Sequence, residues 1–115
     1  MEKEKRIELY QKAISKWGVS AQKKMLMEEI GELLSAVGKF DRMRVEEKDV
    51  ITELADVSIM VEQMATLFGY EAFEKEREYK LNRLKERLEK VKVWSVDREA
   101  KQENNPKEFD YNTWE

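Results

Sequence analysis

The sequence predicts an all-α protein built as a four-helix bundle, and three observations predict it. The 115 residues include one proline and four glycines, so little interrupts helical structure. Glu, Lys, Leu, Arg and Met, which form helices well, are abundant. Apolar residues recur at helical spacing in four segments. A chain of this length is of single-domain size, and we assign the helical domain to residues 1–92 and a C-terminal tail or arm to residues 93–115.

The first two predicted helices lie before residue 40. One covers residues 2–16 and ends at Trp17-Gly18. The next covers about residues 21–39, with Ser20 as its N-cap. Its apolar stripe follows the i, i+4, i+7, i+8, i+11 pattern of a helix packed on one side, and consists of Leu26, Ile30, Leu33, Leu34 and Val37.

Two further helices are predicted after a charged connection at residues 40–48. Asp49 is a good N-cap for a third helix at about residues 50–68, and Gly69 suits its C-cap. This helix is apolar around most of its circumference, so we expect it to be the most buried element. The fourth helix covers about residues 71–91. Its inward residues are expected to be Phe73, Leu81, Leu84, Leu88 and Val91.

Two pairs of acidic residues, Glu29 with Glu32 and Glu53 with Asp56, are the candidate functional residues. Within each pair the carboxylates are three residues apart, so on a helix they project the same way, one turn apart. Both pairs border the apolar stripes of the second and third helices, and packing those stripes together would bring the four acids near one another. Carboxylates held close repel one another, and a divalent cation resolves that conflict. The alternative is that all four are solvated surface acids, since 25 of the 115 residues are Asp or Glu.

The chain contains no histidine and no cysteine, and this limits the chemistry. Zinc sites usually need one of the two, and four-helix di-iron sites use Glu-x-x-His pairs. Nucleophiles activated by histidine are excluded for the same reason. A metal site here would be made of carboxylates, which favours Mg²⁺ or Mn²⁺.

Two cations and one aromatic residue stand at unusual positions. Lys80 falls on the apolar stripe of the fourth helix, where a core residue is expected, and Arg83 lies on its flank. Lys80 can extend its ammonium group to solvent, or both side chains can contact phosphate oxygens. Trp17 has comparable alternatives: it can pack as a core or interface anchor, or stack on a nucleobase.

Three stretches together form a recognisable signature, and they are Trp17-Gly18 with Gln22 and Glu28-Glu29-Ile30-Gly31-Glu32-Leu33, then Glu53-Leu54-Ala55-Asp56-Val57, and then Lys80-Leu81-Asn82-Arg83-Leu84. Over about residues 14–90 the chain resembles the all-α nucleoside triphosphate pyrophosphohydrolases, and it is most similar to the small MazG-like members. The resemblance is strongest in the Glu-x-x-Glu and Glu-x-x-Asp motifs. It implies Mg²⁺-dependent hydrolysis of (deoxy)nucleoside triphosphates to monophosphate and pyrophosphate.

The resemblance also implies residue roles and an assembly. The metal ligands would be Glu29, Glu32, Glu53 and Asp56, one of them serving as general base. Lys80 and Arg83 would contact phosphates, and Trp17 and Gln22 would lie near the base and sugar. The protein would be a homodimer or homotetramer with a shared bundle core, which also agrees with a third helix too apolar for a monomer of this size.

Charge and hydropathy argue against several other classes. A net charge of −3 without a basic block argues against a nucleic-acid partner. No apolar run approaches ~18 residues, which argues against membrane insertion, and the lack of cysteine agrees with a cytoplasmic location. Two alternatives to the favoured activity remain. One is a non-catalytic helical protein-interaction module; the other is a pyrophosphohydrolase acting on a phosphoribosyl nucleotide of histidine biosynthesis, whose basic positions are not evident here.

Overall fold

The computed structural model describes residues 1–102, with side chains described as far as residue 90. Over this range the chain forms four helices and no strand, so the all-α prediction is confirmed. The helices are α1 (Lys3–Trp17), α2 (Val19–Asp41), α3 (Glu47–Phe68) and α4 (Tyr70–Gln102). The chain divides into two compact units, Met1–Glu74 and Lys75–Glu115. The first unit contains α1, α2, α3 and the start of α4.

A single residue, Gly18, separates α1 from α2. Its φ is +87°, in the left-handed region that favours glycine, which lets the chain turn between two helices without a longer loop. The Gly18 N–H donates to the Ile14 carbonyl at 2.9 Å, and the Gly18 carbonyl accepts from the Gln22 N–H at 3.2 Å. Since α2 already begins at Val19, the prediction that Ser20 is its N-cap was wrong.

The connection between α2 and α3 is shorter than predicted because both helices extend into it. α2 continues to Asp41 and α3 begins at Glu47. The N-cap is Glu46, and Asp49 lies inside the first turn, where its Oδ2 accepts from the Glu46 N–H at 2.9 Å. The two residues form a capping box, so Asp49 stabilises the start of α3 from the N3 position and not as its N-cap.

The two ends of α4 differ in how well the sequence predicted them. Gly69 caps α3 as predicted, with a φ of +125° and its N–H donating to the Ala65 carbonyl at 2.8 Å, and α4 begins at the next residue. The predicted end near residue 91 was wrong, since α4 continues to Gln102. Residues 103–115 lie outside the described part of the chain, so the division at residues 92 and 93 stays a prediction.

The helical hairpin of α2 and α3 is the best-packed part of the first unit. These helices contact each other along their length, and α1 packs less extensively, mainly on α3. The buried residues among the described side chains include Tyr10 of α1, Ala36 of α2 and Met60 of α3. No helix among the described residues is apolar over a length that could span a bilayer.

Much apolar surface is left open in the single chain. Leu34 is 70%, Leu54 51% and Phe68 74% exposed. Within the described range α3 nevertheless has the largest share of buried and half-buried residues, so the expectation that it is the most buried element is confirmed. The apolar side of α3 has the alternating three- and four-residue spacing that packs helices side by side, and consists of Val50, Leu54, Val57, Val61, Met64 and Phe68. Of the α4 residues predicted to face inward, Leu81, Leu84 and Leu88 are exposed. The side chain of Val91 is outside the described range.

Candidate metal centre

Three of the four predicted acids meet between α2 and α3. Glu29 on α2 and Glu53 and Asp56 on α3 each offer a carboxylate oxygen, and these oxygens lie within 4.8 Å of one another. The short connection between the helices makes them antiparallel neighbours. Their packed stripes therefore bring one turn of α2 level with one turn of α3. Such a group of oxygens has the spacing of ligands around one cation.

Two oxygens of this group have no partner. Oε2 of Glu29 and Oε2 of Glu53 are shielded from solvent and make no hydrogen bond. Both residues are half-buried, so neither carboxylate is a freely solvated surface acid. A carboxylate oxygen removed from water without a donor is costly, and a bound cation offsets that cost. The three-acid group therefore fits a metal ion on the basis of its own unsatisfied atoms.

The charges of the group act on one another. Burial raises the pKa of Glu29 above its usual value, and the carboxylates of Glu32, Asp56 and Glu53 raise it further. Burial likewise raises the pKa of Glu53, followed by the charges of Glu32 and Asp56. Without a cation the folded state thus disfavours the ionised forms of both carboxyl groups.

Glu32 stands beside the group. It is exposed, and unlike the other three predicted ligands it does not belong to the set whose oxygens lie within 4.8 Å. Its charge nevertheless contributes to the raised pKa of both Glu29 and Glu53. Glu32 is therefore close enough to add negative charge to the site.

The chemical type of the ligand atoms determines which metal ions this site favours. All the donors are carboxylate oxygens, the ligands that Mg²⁺ and Mn²⁺ prefer, and the chain has no histidine or cysteine. Mg²⁺ is usually held by one or two carboxylates and keeps several waters. Three carboxylates at half-buried positions leave room for such waters and for oxygens of a substrate.

The residues assigned to base and sugar have opposite environments. Gln22 is 2% exposed, and neither its Nε2 nor its Oε1 has a hydrogen-bond partner. Trp17 is the last residue of α1 and is exposed, with the Lys16 Nζ 5.7 Å from its ring centroid. Trp17 is therefore not a core anchor of the single chain. An interface or a stacking role remains open for it.

The two cations assigned to phosphate lie on the part of α4 that belongs to the second unit. Lys80 is exposed, and its Nζ is 3.9 Å from Oε1 of Glu76, one turn earlier on the same helix. Arg83 is half-buried, with its guanidinium carbon 5.9 Å from the ring centroid of Tyr79. An exposed, loosely paired lysine is available to an incoming anion. Its role with phosphate stays a prediction.

A second carboxylate on α3, that of Glu62, was not singled out from the sequence. Its Oε2 accepts from the Tyr10 hydroxyl at 3.1 Å, the Tyr70 hydroxyl at 3.2 Å and Arg6 Nε at 3.2 Å. Burial, and then the hydrogen bond to Glu62, raise the pKa of Tyr10. Nothing in the local sequence pattern indicates this group, which we call the Glu62 cluster, because its members come from three different helices.

A buried amide was also missed. Oε1 of Gln63 is shielded from solvent and has no partner, as in Gln22. Gln22 belongs to the motif signature, whereas the sequence signal for Gln63 is a glutamine within the apolar third helix. No family model, curated protein or solved structure matches the chain.

Proposed function

We propose that this protein is a Mg²⁺-dependent nucleoside triphosphate pyrophosphohydrolase, which converts a (deoxy)nucleoside triphosphate to the monophosphate and pyrophosphate. The observation that carries the proposal is the three-acid group of Glu29, Glu53 and Asp56, with two shielded oxygens that lack donors. Few structural roles explain carboxylates held against one another in this way. The resemblance of the surrounding motifs to the MazG-like pyrophosphohydrolases supplies the reaction.

The roles of the chain's own residues follow from charge and position. Glu29, Glu53 and Asp56 would hold the ion, with Glu32 adding negative charge beside them. When bound, Mg²⁺ neutralises phosphate oxygens and activates water for attack. A carboxylate with a raised pKa, such as that of Glu29 or Glu53, is suited to accept the proton that an attacking water loses. The resemblance adds Lys80 and Arg83 as counter-charges for the phosphates.

Base recognition is assigned to Gln22 and Trp17. An amide offers one donor and one acceptor side, and the indole ring offers a stacking face. The unpaired amide of Gln22 is compatible with a partner supplied by a ligand.

The test is release of pyrophosphate from a panel of canonical and modified nucleotides with Mg²⁺ and with Mn²⁺. We expect at least one nucleotide to give pyrophosphate and monophosphate in equal amounts, and chelator to abolish the reaction. Glu53→Gln should lose most of this activity. Glu8→Gln is its matched control, because Glu8 is an exposed acid of α1 outside the three-acid group. A panel that yields no pyrophosphate with either ion contradicts the proposal.

A second candidate function is a non-catalytic helical interaction module. The observation that favours it is the exposed apolar surface of α2 and α3, including Leu34, Leu54 and Phe68. Under this alternative the acids bind no ion, so amide substitutions at Glu29 and Glu53 leave both divalent-ion affinity and thermal stability unchanged. A change in either quantity favours the metal site.

The same exposed surface supports assembly into a homodimer or homotetramer. The apolar side of α3 has the spacing of a helix that packs against others along its whole length, and Leu54, Val61 and Phe68 on that side are exposed in the single chain. A second copy would cover it and complete a bundle core. Sedimentation at micromolar concentration tests this, and a stable compact monomer contradicts it.

A further inference from the structure

We propose that α1 is a hinged arm, which opens as a unit about Gly18 and is held closed by the Glu62 cluster. Opening leaves the α2–α3 hairpin intact. This goes beyond the proposed hydrolysis and does not depend on it, because none of the residues involved belongs to the three-acid group.

The hinge is the single residue between the two helices. Gly18 alone has non-helical dihedral angles there, with φ at +87°, and a Cβ built on it meets no atom within 4 Å. The junction is thus open on its side-chain side, and glycine permits wide changes of φ and ψ without steric cost. Rotation at one residue changes the direction of α1 without unwinding either helix.

The latch is a carboxylate that ties α1 to α3. Arg6 and Tyr10 of α1 both donate to Oε2 of Glu62, at 3.2 and 3.1 Å. Tyr70, at the start of α4, donates to the same oxygen at 3.2 Å. Hydrogen bonds to a charged acceptor are stronger than neutral ones, so this one oxygen accounts for a large part of the attachment. A half-buried ion pair, Lys3 Nζ to Glu74 Oε2 at 2.7 Å, adds a second tie at the free end of the arm.

The rest of the attachment is weak compared with the hairpin. Tyr10 is the buried residue of α1, and the helix packs less extensively on its neighbours than α2 and α3 pack on each other. Gln22, one turn beyond the hinge, keeps a buried amide without partners in the closed arrangement. Water reaching that amide on opening would relieve the cost of leaving it unpaired. Segments with few buried contacts open at lower free energy than the core of a fold.

Hydrogen exchange of the full chain, resolved by peptide, tests the proposal. A detached helix of 15 residues is only marginally stable in water, so opening exposes its amides to exchange, and in the wild-type protein the amides of α1 should exchange faster than those of α2 and α3. In Glu62→Gln the exchange of α1 should accelerate about tenfold or more, because the acceptor loses its charge, while α2 and α3 stay unchanged. Glu8→Gln makes the same chemical change on an exposed part of α1 and should leave every rate as it was.

Two milder variants keep the test decisive if Glu62→Gln fails to fold. Tyr10→Phe removes one donor of α1 from the latch and should accelerate α1 alone. Gly18→Ala strains the closed arrangement, since a φ of +87° is unfavourable for alanine, and should accelerate α1 about fivefold. The proposal is overturned if the amides of all three helices exchange together in the wild-type protein. It is equally overturned if the latch variants accelerate α2 and α3 as much as α1.

Discussion

Helix α3 carries two carboxylate sites with opposite surroundings. At Glu62, one oxygen receives three hydrogen bonds from two tyrosines and an arginine. At Glu53, on the same helix, one oxygen is shielded and receives none, and the neighbouring charges are those of Glu32 and Asp56. The same functional group is thus surrounded by donors in one place and by other carboxylates in the other.

The difference separates a structural acid from a candidate ligand. A carboxylate with a complete set of donors gains nothing from a cation and loses much when it is removed. A carboxylate facing other carboxylates is destabilising until a cation arrives, and removing it relieves repulsion. Burial alone does not distinguish the two residues, since both are half-buried. The two residues differ in their neighbours, which are hydrogen-bond donors at Glu62 and other carboxylates at Glu53.

The largest expected effect is on hydrolysis. Glu53→Gln should lower pyrophosphate release by about 100-fold or more, because it removes charge from the ion site that stabilises the transition state. Glu62→Gln and Glu8→Gln should stay within a few-fold of the wild-type rate. Steady-state assays with the best nucleotide of the panel measure this. Equal losses in Glu53→Gln and Glu62→Gln would show that fold stability, and not the site, limits the reaction.

The second-largest expected effect is a difference in ion binding between variants of the Glu53 site and variants of the Glu62 site. Mg²⁺ or Mn²⁺ at about 100 times its dissociation constant should stabilise the wild-type protein by roughly 2.7 kcal/mol, through preferential binding to the folded state. Thermal or urea unfolding with and without the ion measures the difference. Glu62→Gln should retain this increment, and Glu29→Gln and Glu53→Gln should lose most of it. An increment that survives in both site variants places the ion elsewhere on the chain.

Substitutions in the absence of metal should have opposite signs at the two sites. Glu62→Gln should lower the free energy of unfolding by about 2 kcal/mol, since hydrogen bonds to a charged acceptor are weakened. Glu53→Gln should raise it, because repulsion with Glu32 and Asp56 is relieved. Urea unfolding in chelator gives both values. If Glu53→Gln also destabilises the metal-free protein, the carboxylate has a stabilising partner and the contrast between the sites fails.

The smallest effect is a dependence of metal-free stability on pH. The pKa values of Glu29 and Glu53 are raised in the folded state above the usual 4.5, so the folded protein holds protons that the unfolded chain releases. Their stabilising contribution is complete below pH 4.5 and is lost as the pH rises through the raised values. Unfolding in chelator, compared between the wild type and the double amide variant, isolates the contribution. Identical pH profiles for the two proteins would contradict the raised pKa values.

The sequence predicted the helices well because their signals are local. Helical spacing of apolar residues and the glycine at position 69 depend on neighbours along the chain, and the four segments are found where they were expected. The approach of Glu29 to Glu53 and Asp56 follows from the same logic, since each acid borders a stripe that must pack. Helix ends were less predictable. Gly18 ends one helix and begins the next, which made Ser20 unnecessary as a cap.

The Glu62 cluster could not be predicted from the same signals. Tyr10 and Glu62 are far apart in sequence, and no periodic pattern relates them. Their contact depends on how α1 crosses α3, which is a property of the tertiary packing. The exposed leucines of α4 show a similar limit: the pattern tells which side of a helix is apolar, but not what covers it.

The short connection between α2 and α3 has a consequence for the order of folding. Contacts between helices close in sequence form early, because little loop entropy is lost in bringing them together. Glu29, Glu53 and Asp56 all lie on this hairpin, so their repulsion arises as soon as the first tertiary contacts form. Refolding in chelator should therefore be slowed at its earliest step, and added Mg²⁺ should accelerate it. The ion would then assist the nucleation of the chain before any substrate is bound.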